Sequence, residues 1–455
     1  MERKGIVRRR AAYGFALLAG CALFGACVGD KEATGAKDGV RIVSGAWPDG
    51  EETRVAYETD GDRHRVVWTE GDALRVAAFA DGVRVSDGGK RWSRFDMVTD
   101  DGFDASYMLF SGPALMPSGS GKQRLYALSP AGMLAGETED KLVFPSVQTY
   151  SPDSFDPDAV LLVSAPVEAE LPQSGTVHTA PFRFAHYTGY LCLAPEGLPE
   201  SVSEERIDRI VLERMDGEAV SGNFEAVIDD AAGDWTLEPG GETLPTVTLD
   251  FAGSGTTVGD VESCWFSLLP GTYGRVAVSI YTVSGTMLRM ERDGLVIEPG
   301  VIGRQRIRFG AGDTVTRTFR LDGGDLGIGE TMNGEKMTGT KDGIVFGYYK
   351  LKCVSSGGEL HVEFGKNGSL ANESPFPGRI TSVEVECTEA VKSRFIKVSM
   401  GTAAGEYAYT RQGTTNEVNC FEAPAGSDYR YMSVENGNTY VADLRNIRIT
   451  CVQED

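Results

Sequence analysis

Histidine is nearly absent from this chain, with four in 455 residues. His64, His178, His186 and His361 are far apart, so none has metal-ligand spacing, and a hydrogen-bonded structural role is expected for His186. No Cys-x-x-Cys occurs, which removes support for zinc and thioredoxin-type redox chemistry. No Gly-x-Ser-x-Gly elbow is present either. Ser118-Gly-Ser-Gly-Lys122 fails as a phosphate loop, because Met116 stands where the first glycine should be and Gln123 where Ser or Thr should be. Acidic pairs such as Asp100-Asp101 and Asp229-Asp230 fall in turn-like sequence and read as solvated. The expectation is a non-enzyme with no catalytic residue, no metal and no cofactor. No basic patch with interleaved aromatics appears, and the net charge is −22, so nucleic acid is excluded as a partner. No repeat of solenoid period is present.

What the chain does have is glycine (57 residues) and 41% hydrophobic residues broken into short runs. That pattern predicts an all-β protein, and the length suggests two to four domains. Two β-rich runs flank Thr59-Asp60-Gly61-Asp62, a hairpin signal. After the turn at Glu70-Gly71-Asp72, Leu74, Val76 and Ala78 alternate with Ala73, Arg75 and Ala77, as in a strand with one buried face. Met108-Leu-Phe110 and Val160-Leu-Leu-Val163 are continuous apolar runs and read as buried centre strands.

The N-terminus combines Arg8-Arg9-Arg10 with an apolar run from Ala11 to Ala26, too short for a comfortable membrane helix. Residues 1–26 therefore read as a lipoprotein signal peptide. Leu18-Ala-Gly-Cys21 is the better lipobox by sequence. Cys27 is favoured for lipidation because polar residues follow it at once, with Cys21 as the alternative. The leader carries five basic residues against Glu2, so the chain without it would fall from −22 to −26. Residues 27–39 are small and polar and read as a tether. An acyl-anchored product would be held to a membrane without spanning it.

The order of motifs resembles the fimbrillin-like family of Bacteroidetes surface lipoproteins. Thr53-Arg54-Val-Ala-Tyr57 and then Trp68-Thr-Glu-Gly71-Asp72-Ala-Leu74-Arg-Val76 are similar to the family's opening strands. Leu125-Tyr-Ala-Leu-Ser-Pro-Ala131 resembles its Tyr-Ala-x-Tyr-Pro-Ala strand, with Ser129 in place of a common tyrosine. Phe144-Pro-Ser-Val147, Phe155-Asp-Pro-Asp158, Phe184-Ala-His186, Ile207-Asp-Arg-Ile210 and Ser221-Gly-Asn-Phe224 follow in family order. The resemblance covers roughly residues 40–320. It implies two tandem fimbrillin-type (transthyretin-like) β-sandwich domains, at 40–172 and 173–322.

It also implies that the strand beginning at Val40 is part of a propeptide, which an arginine-directed protease removes at a loop arginine. Arg54 fits that position best, and an uncut surface arginine is the open alternative; Arg41 is poorer because it lies inside the strand. The vacated groove would take a donor strand from another fimbrial subunit. Location at the outer membrane or cell surface, in a fimbrium, comes with the same resemblance.

Beyond the glycine-rich joint Asp322-Gly-Gly-Asp-Leu-Gly-Ile-Gly329, residues 323–455 form a third unit. Its strands, including Arg379-Ile-Thr-Ser-Val-Glu-Val385 and Leu444-Arg-Asn-Ile447, resemble galactose-binding-like jelly-roll modules, which implies a β-sandwich binding domain. Tyr407, Tyr409 and Tyr440 lie beside turns and are the candidate ligand-binding residues, since aromatic faces stack on sugar rings. Cys353, Cys387 and Cys451 share strand parity with core residues and are expected as buried thiols, with disulfides open as the alternative in an exported protein. The expected function is a fimbrial accessory or tip subunit whose last domain adheres to a host protein or glycan. The alternative is a non-polymerising surface glycan-binding lipoprotein.

Overall fold

The computed structural model describes residues 40–48, 58–60, 63–65, 68–98, 107–116, 121–322, 324–332, 334–356, 359–387, 395–414, 418–437 and 441–454. The expected signal peptide, tether and Cys21, Cys27, Arg54 and Tyr440 lie outside them. Among the described residues the fold is all-β. Its helices there are single 3-10 turns at Ala131–Met133, Pro157–Ala159 and Glu200–Val202.

Alternation sets the strand faces. In Val167–Leu171, Val167, Ala169 and Leu171 are buried while Glu168 and Glu170 face solvent. In Ile207–Arg214 the parity changes after Ile207, and the pairing with Gly271–Thr282 slips between Ile207 and Arg209. One extra residue at that bulge brings Ile210 and Leu212 back to the core.

The first sheet closes on itself. Its path runs Gly121–Ser129, Leu162–Ser164, Phe182–His186, Val40–Pro48, Met108–Pro113, Ser93–Val98 and Ala73–Ala80, and the last strand pairs back to Gly121–Ser129. The ring encloses a core that includes Ile42, Trp68, Phe95, Phe110 and Phe184. A three-stranded sheet of Lys141–Phe144, Ser221–Asp229 and Asp234–Leu244 contributes to a separate core with Trp92, Tyr126 and Leu128. Ala73–Ala80 and Gly121–Ser129 thus serve two cores, through Val76 and Ala127 on one face and Ala77 and Tyr126 on the other.

Val160, Leu161 and Leu162 are likewise fully buried between those cores. Met108-Leu-Phe110 differs from the expected centre strand: Met108 and Phe110 are buried but Leu109 is 40% exposed. No second core claims the outer side of Leu109, so ordinary alternation prevails.

Strands from 175 to 186 pair inside the first sheet, while Val147–Thr149 pairs with Thr246–Asp250 across the second sandwich. The second core, with Leu212, Leu249, Phe266 and Ile280, lies between layers built from Ile207–Arg214, Gly271–Thr282 and Thr286–Ile297 on one side and Gly189–Glu196 and Cys264–Leu268 on the other.

The third core, with Phe346, Phe364, Val383 and Ile449, is joined to the second by the final strand, Ala442–Glu454. That strand pairs with Thr314–Leu321 from Thr314↔Glu454 to Leu321↔Ile447, and with Arg379–Cys387 on its other side. The glycine-rich joint is packed as well: Leu326 and Ile328 are buried in the third core, and Lys341 bonds Asp325 at 2.8 Å.

A buried polar knot holds the flank of the first ring. Asp140 accepts from Trp92 Nε1 (2.8 Å), from Arg84 (3.2 Å) and from Arg91 (2.5 Å). The Arg84 guanidinium lies 4.5 Å from the Trp92 ring centroid. Burial lowers its pKa to about 10, against the opposing pull of Asp140. Removing one partner leaves buried charge uncompensated, so Asp140→Ala should cost about 3–5 kcal/mol, read as a lower urea midpoint. A midpoint shift within error would show that the knot adds little to stability.

Candidate functional site

The first strand, Val40–Pro48, is the element on which the expected strand exchange turns. It runs antiparallel to Met108–Pro113, from Arg41↔Pro113 to Ala46↔Met108. On its other edge it runs parallel to Gly175–His178 and then to Phe182–His186. Both rows of backbone groups are therefore paired. Further bonds fix the ends and middle: Ala114 N–H donates to Val40 O at 2.9 Å and Thr179 N–H to Val43 O at 3.0 Å.

Its inward side chains are graded in size. Val40, Ile42, Ser44 and Ala46 point to the core and are at most 4% exposed. Ser44 Oγ donates to Ala180 O at 3.0 Å, so the one polar group inward is satisfied. Trp68 Nε1 donates to Ala46 O at 3.2 Å, and its ring packs edge-on against Phe110 and Phe184, with centroids 5.0 and 5.6 Å away. Tyr107 lies against Gly45, where any Cβ would collide with its hydroxyl and ring. The seat thus accepts β-branched residues at one end and only small ones at the other. Sequence reading missed this gradient, although Ser44-Gly45-Ala46 after Val40-Arg-Ile42-Val43 is its trace.

Arg41 points outward from the paired strand, with Nε donating to Ser111 Oγ at 2.6 Å. Arg54 falls between the first strand and the next described one, outside the described residues.

The tyrosine candidates separate. Tyr407 lines a groove of about 540 Å³ together with Tyr349, Glu373 and Glu435. Its hydroxyl donates to Met432 O at 3.4 Å, and burial pushes its pKa up. Tyr409 lines a different hollow, of about 720 Å³, with Phe421 and Pro424, and its hydroxyl accepts from Arg411 Nε at 3.3 Å. Tyr440 lies outside the described residues.

No family model and no curated protein matches the chain. Solved structures do. A fimbrial assembly protein from Parabacteroides distasonis is 9% identical with a TM-score of 0.30, covering 61% of this chain and 93% of that one. The fimbrial anchor protein Mfa2 from Porphyromonas gingivalis is 15% identical with a TM-score of 0.29, covering 62% and 90%. A fimbrial protein from Bacteroides ovatus is 11% identical with a TM-score of 0.25, covering 76% and 67%. Others are putative cell adhesion proteins, including ones from Bacteroides ovatus and Bacteroides fragilis. Likeness of this degree carries no function with it.

No group of three or more His, Cys, Asp or Glu among the described residues could hold a metal ion. His186 is buried with its ring bonded to the Tyr190 hydroxyl, in a structural setting. The six described cysteines are free thiols. Cys192, Cys264 and Cys451 are buried, Cys353 and Cys387 half-buried, and Cys420 exposed. Burial pushes the thiols of Cys264 and Cys451 well up and that of Cys387 up to about 11, which keeps them unreactive.

Two outcomes follow. Maleimide should label Cys420 in the native protein, but Cys264 and Cys451 only after unfolding; native labelling of the latter pair would contradict their burial. Ile42→Ala should cost about 2–5 kcal/mol in denaturant unfolding. Gly45→Val should be no milder, because Tyr107 must leave its place, and a neutral Gly45→Val would refute the close approach.

Proposed function

We propose that the chain is a fimbrial-type surface protein, an accessory or tip subunit assembled by β-strand complementation through the seat of its first strand. In this reading the lipid is carried by Cys27, or alternatively Cys21, and holds the protein at the outer membrane. Cleavage after Arg54 frees the first strand, and a donor strand from another subunit replaces it. The domains are those at 40–172, 173–322 and 323–455, except that the strands of residues 175–186 pair into the first sheet, and the last domain serves adhesion to a host protein or glycan.

The observation that carries the reading is the double pairing of Val40–Pro48 in a ring that it closes. Burying Val40 and Ile42 is worth about 1.5–3 kcal/mol each, and each net hydrogen bond about 0.5–1.5. Loss of the whole strand therefore costs on the order of 10 kcal/mol, comparable to the stability of a domain. Such a strand does not leave by fluctuation; it must be cut loose and replaced. A replacement would run antiparallel to Met108–Pro113 and carry a small residue against Tyr107.

Ala442–Glu454 is paired on both edges with its own chain, at Thr314–Leu321 and Arg379–Cys387, so this strand is held in the fold rather than offered as a donor.

The glycan-binding alternative keeps the first strand in place and the protein monomeric, and is favoured by the Tyr407 groove. The discriminating experiment is limited digestion of the leaderless protein with an arginine-specific protease, followed by intact mass and native gel. The expected result is one cut after Arg54 and slow appearance of ladders, both abolished by Arg54→Ala. Resistance at Arg54 with a persistent monomer would sink the fimbrial reading.

A further inference from the structure

The groove beside Tyr407 has a floor that an ordinary solvated sheet face would not have. Two cross-strand rows define it. The first runs Lys336↔Tyr349↔Ser369↔Glu435↔Lys397 and the second Thr338↔Gly347↔Ala371↔Ser433↔Ser399. Alternate residues of these strands, among them Phe346, Leu370, Val434 and Val398, fill the third core from the other side.

The second row is built of glycine, alanine and serine at the middle of a sheet. Such residues pack poorly against cross-strand neighbours and weaken a strand interior, where β-branched and aromatic residues are the rule. A row of them marks a place where something approaches the backbone closely. At Gly347 that something is visible: the Glu373 carboxylate lies where a Cβ would be. Larger side chains stand around the row, with Tyr349 and Tyr407 both lining the groove.

Charge decides what fits. Glu373 pairs with Lys336 at 2.7 Å and Glu435 with Lys397 at 2.9 Å. The two ion pairs cancel, so the groove offers acceptors and donors with no net charge. Ser433 Oγ donates to Glu435 Oε1 at 3.2 Å and extends the polar lining. A volume of about 540 Å³ lies within the usual range for small-molecule sites. Because the floor is sheet backbone, the shape is preformed and costs little ordering on binding.

We propose that this groove binds a neutral, hydroxyl-rich oligosaccharide laid over the Gly347–Ala371–Ser433 part of that row, between Tyr349 and Tyr407. Tyrosine rings would pack against sugar faces, while Glu373 and Glu435 accept from hydroxyls. The inference rests on the reading of residues 323–455 as an adhesive domain and assigns its site, with Tyr407 inside it and Tyr409 outside.

The test is a printed array of neutral, sialylated and sulfated oligosaccharides, probed with the mature chain and two variants. Tyr407→Ala removes a wall, and Ala371→Leu fills the floor from the solvent side without touching the core. Selective binding to neutral oligosaccharides, weakened at least about tenfold by each variant at unchanged thermal stability, is the expected result. Absence of neutral binding, a preference for charged glycans, or neutral binding that survives both variants would overturn the assignment. The ladder assay on Arg54 is a separate readout: ladders without neutral-glycan binding remove the groove alone, and binding without ladders removes only the fimbrial assembly.

Discussion

The structure depends on a strand that has no free edge. Val40–Pro48 is hydrogen-bonded on both sides within a ring that closes through the pairing of Ala73–Ala80 with Gly121–Ser129. In an open sheet, losing an edge strand leaves a smaller sheet with a new edge. In a ring, losing one stave exposes two edges and one side of the core together, since Ile42 and Ala46 pack in the same cluster as Phe110 and Phe184. The same geometry explains why the strand is stable where it is.

The rest of the molecule supports that ring from outside. The Lys141–Phe144, Ser221–Asp229 and Asp234–Leu244 sheet contributes Leu142, Phe144 and Phe224 to the core that also holds Phe79, Trp92 and Tyr126. The Asp140 knot and the bond from Tyr126 to Asp230 (2.7 Å) pair most of the polar groups enclosed there, while Arg84 Nε is buried without a partner.

Much of the fold could be read from short-range pattern. Alternation in Val167–Leu171 and the parity of Cys451 depend only on near neighbours along the chain and on the two-residue period of a strand; Ala73–Ala80, expected to bury one face, buries both because a second core covers Ala77 and Phe79. Cys353 and Cys387, expected as buried by the same parity as Cys451, are only half-buried. What could not be read was long-range pairing. Nothing local says that Val40 lies beside Gly175, or that Lys141–Phe144 pairs with Ser221–Asp229 far along the chain. Leu109 looked buried because its neighbours are apolar, yet burial of that face needed a covering layer. Of the tyrosines, Tyr407 and Tyr409 are two residues apart in sequence but line separate hollows, a distinction made by the onset of the Tyr409–Thr414 strand. The small-residue row beside Tyr407 comes from four strands and has no signature in any one of them.

The ladder between Thr314–Leu321 and the final strand also has a mechanical meaning. A glycine-rich joint alone would act as a swivel, and tension on residues 323–455 would straighten it. Here the same tension meets a second, non-covalent route: the antiparallel ladder, together with Leu326 and Ile328 seated in the third core. Tension on residues 323–455 would be shared between the joint and a hydrogen-bonded seam.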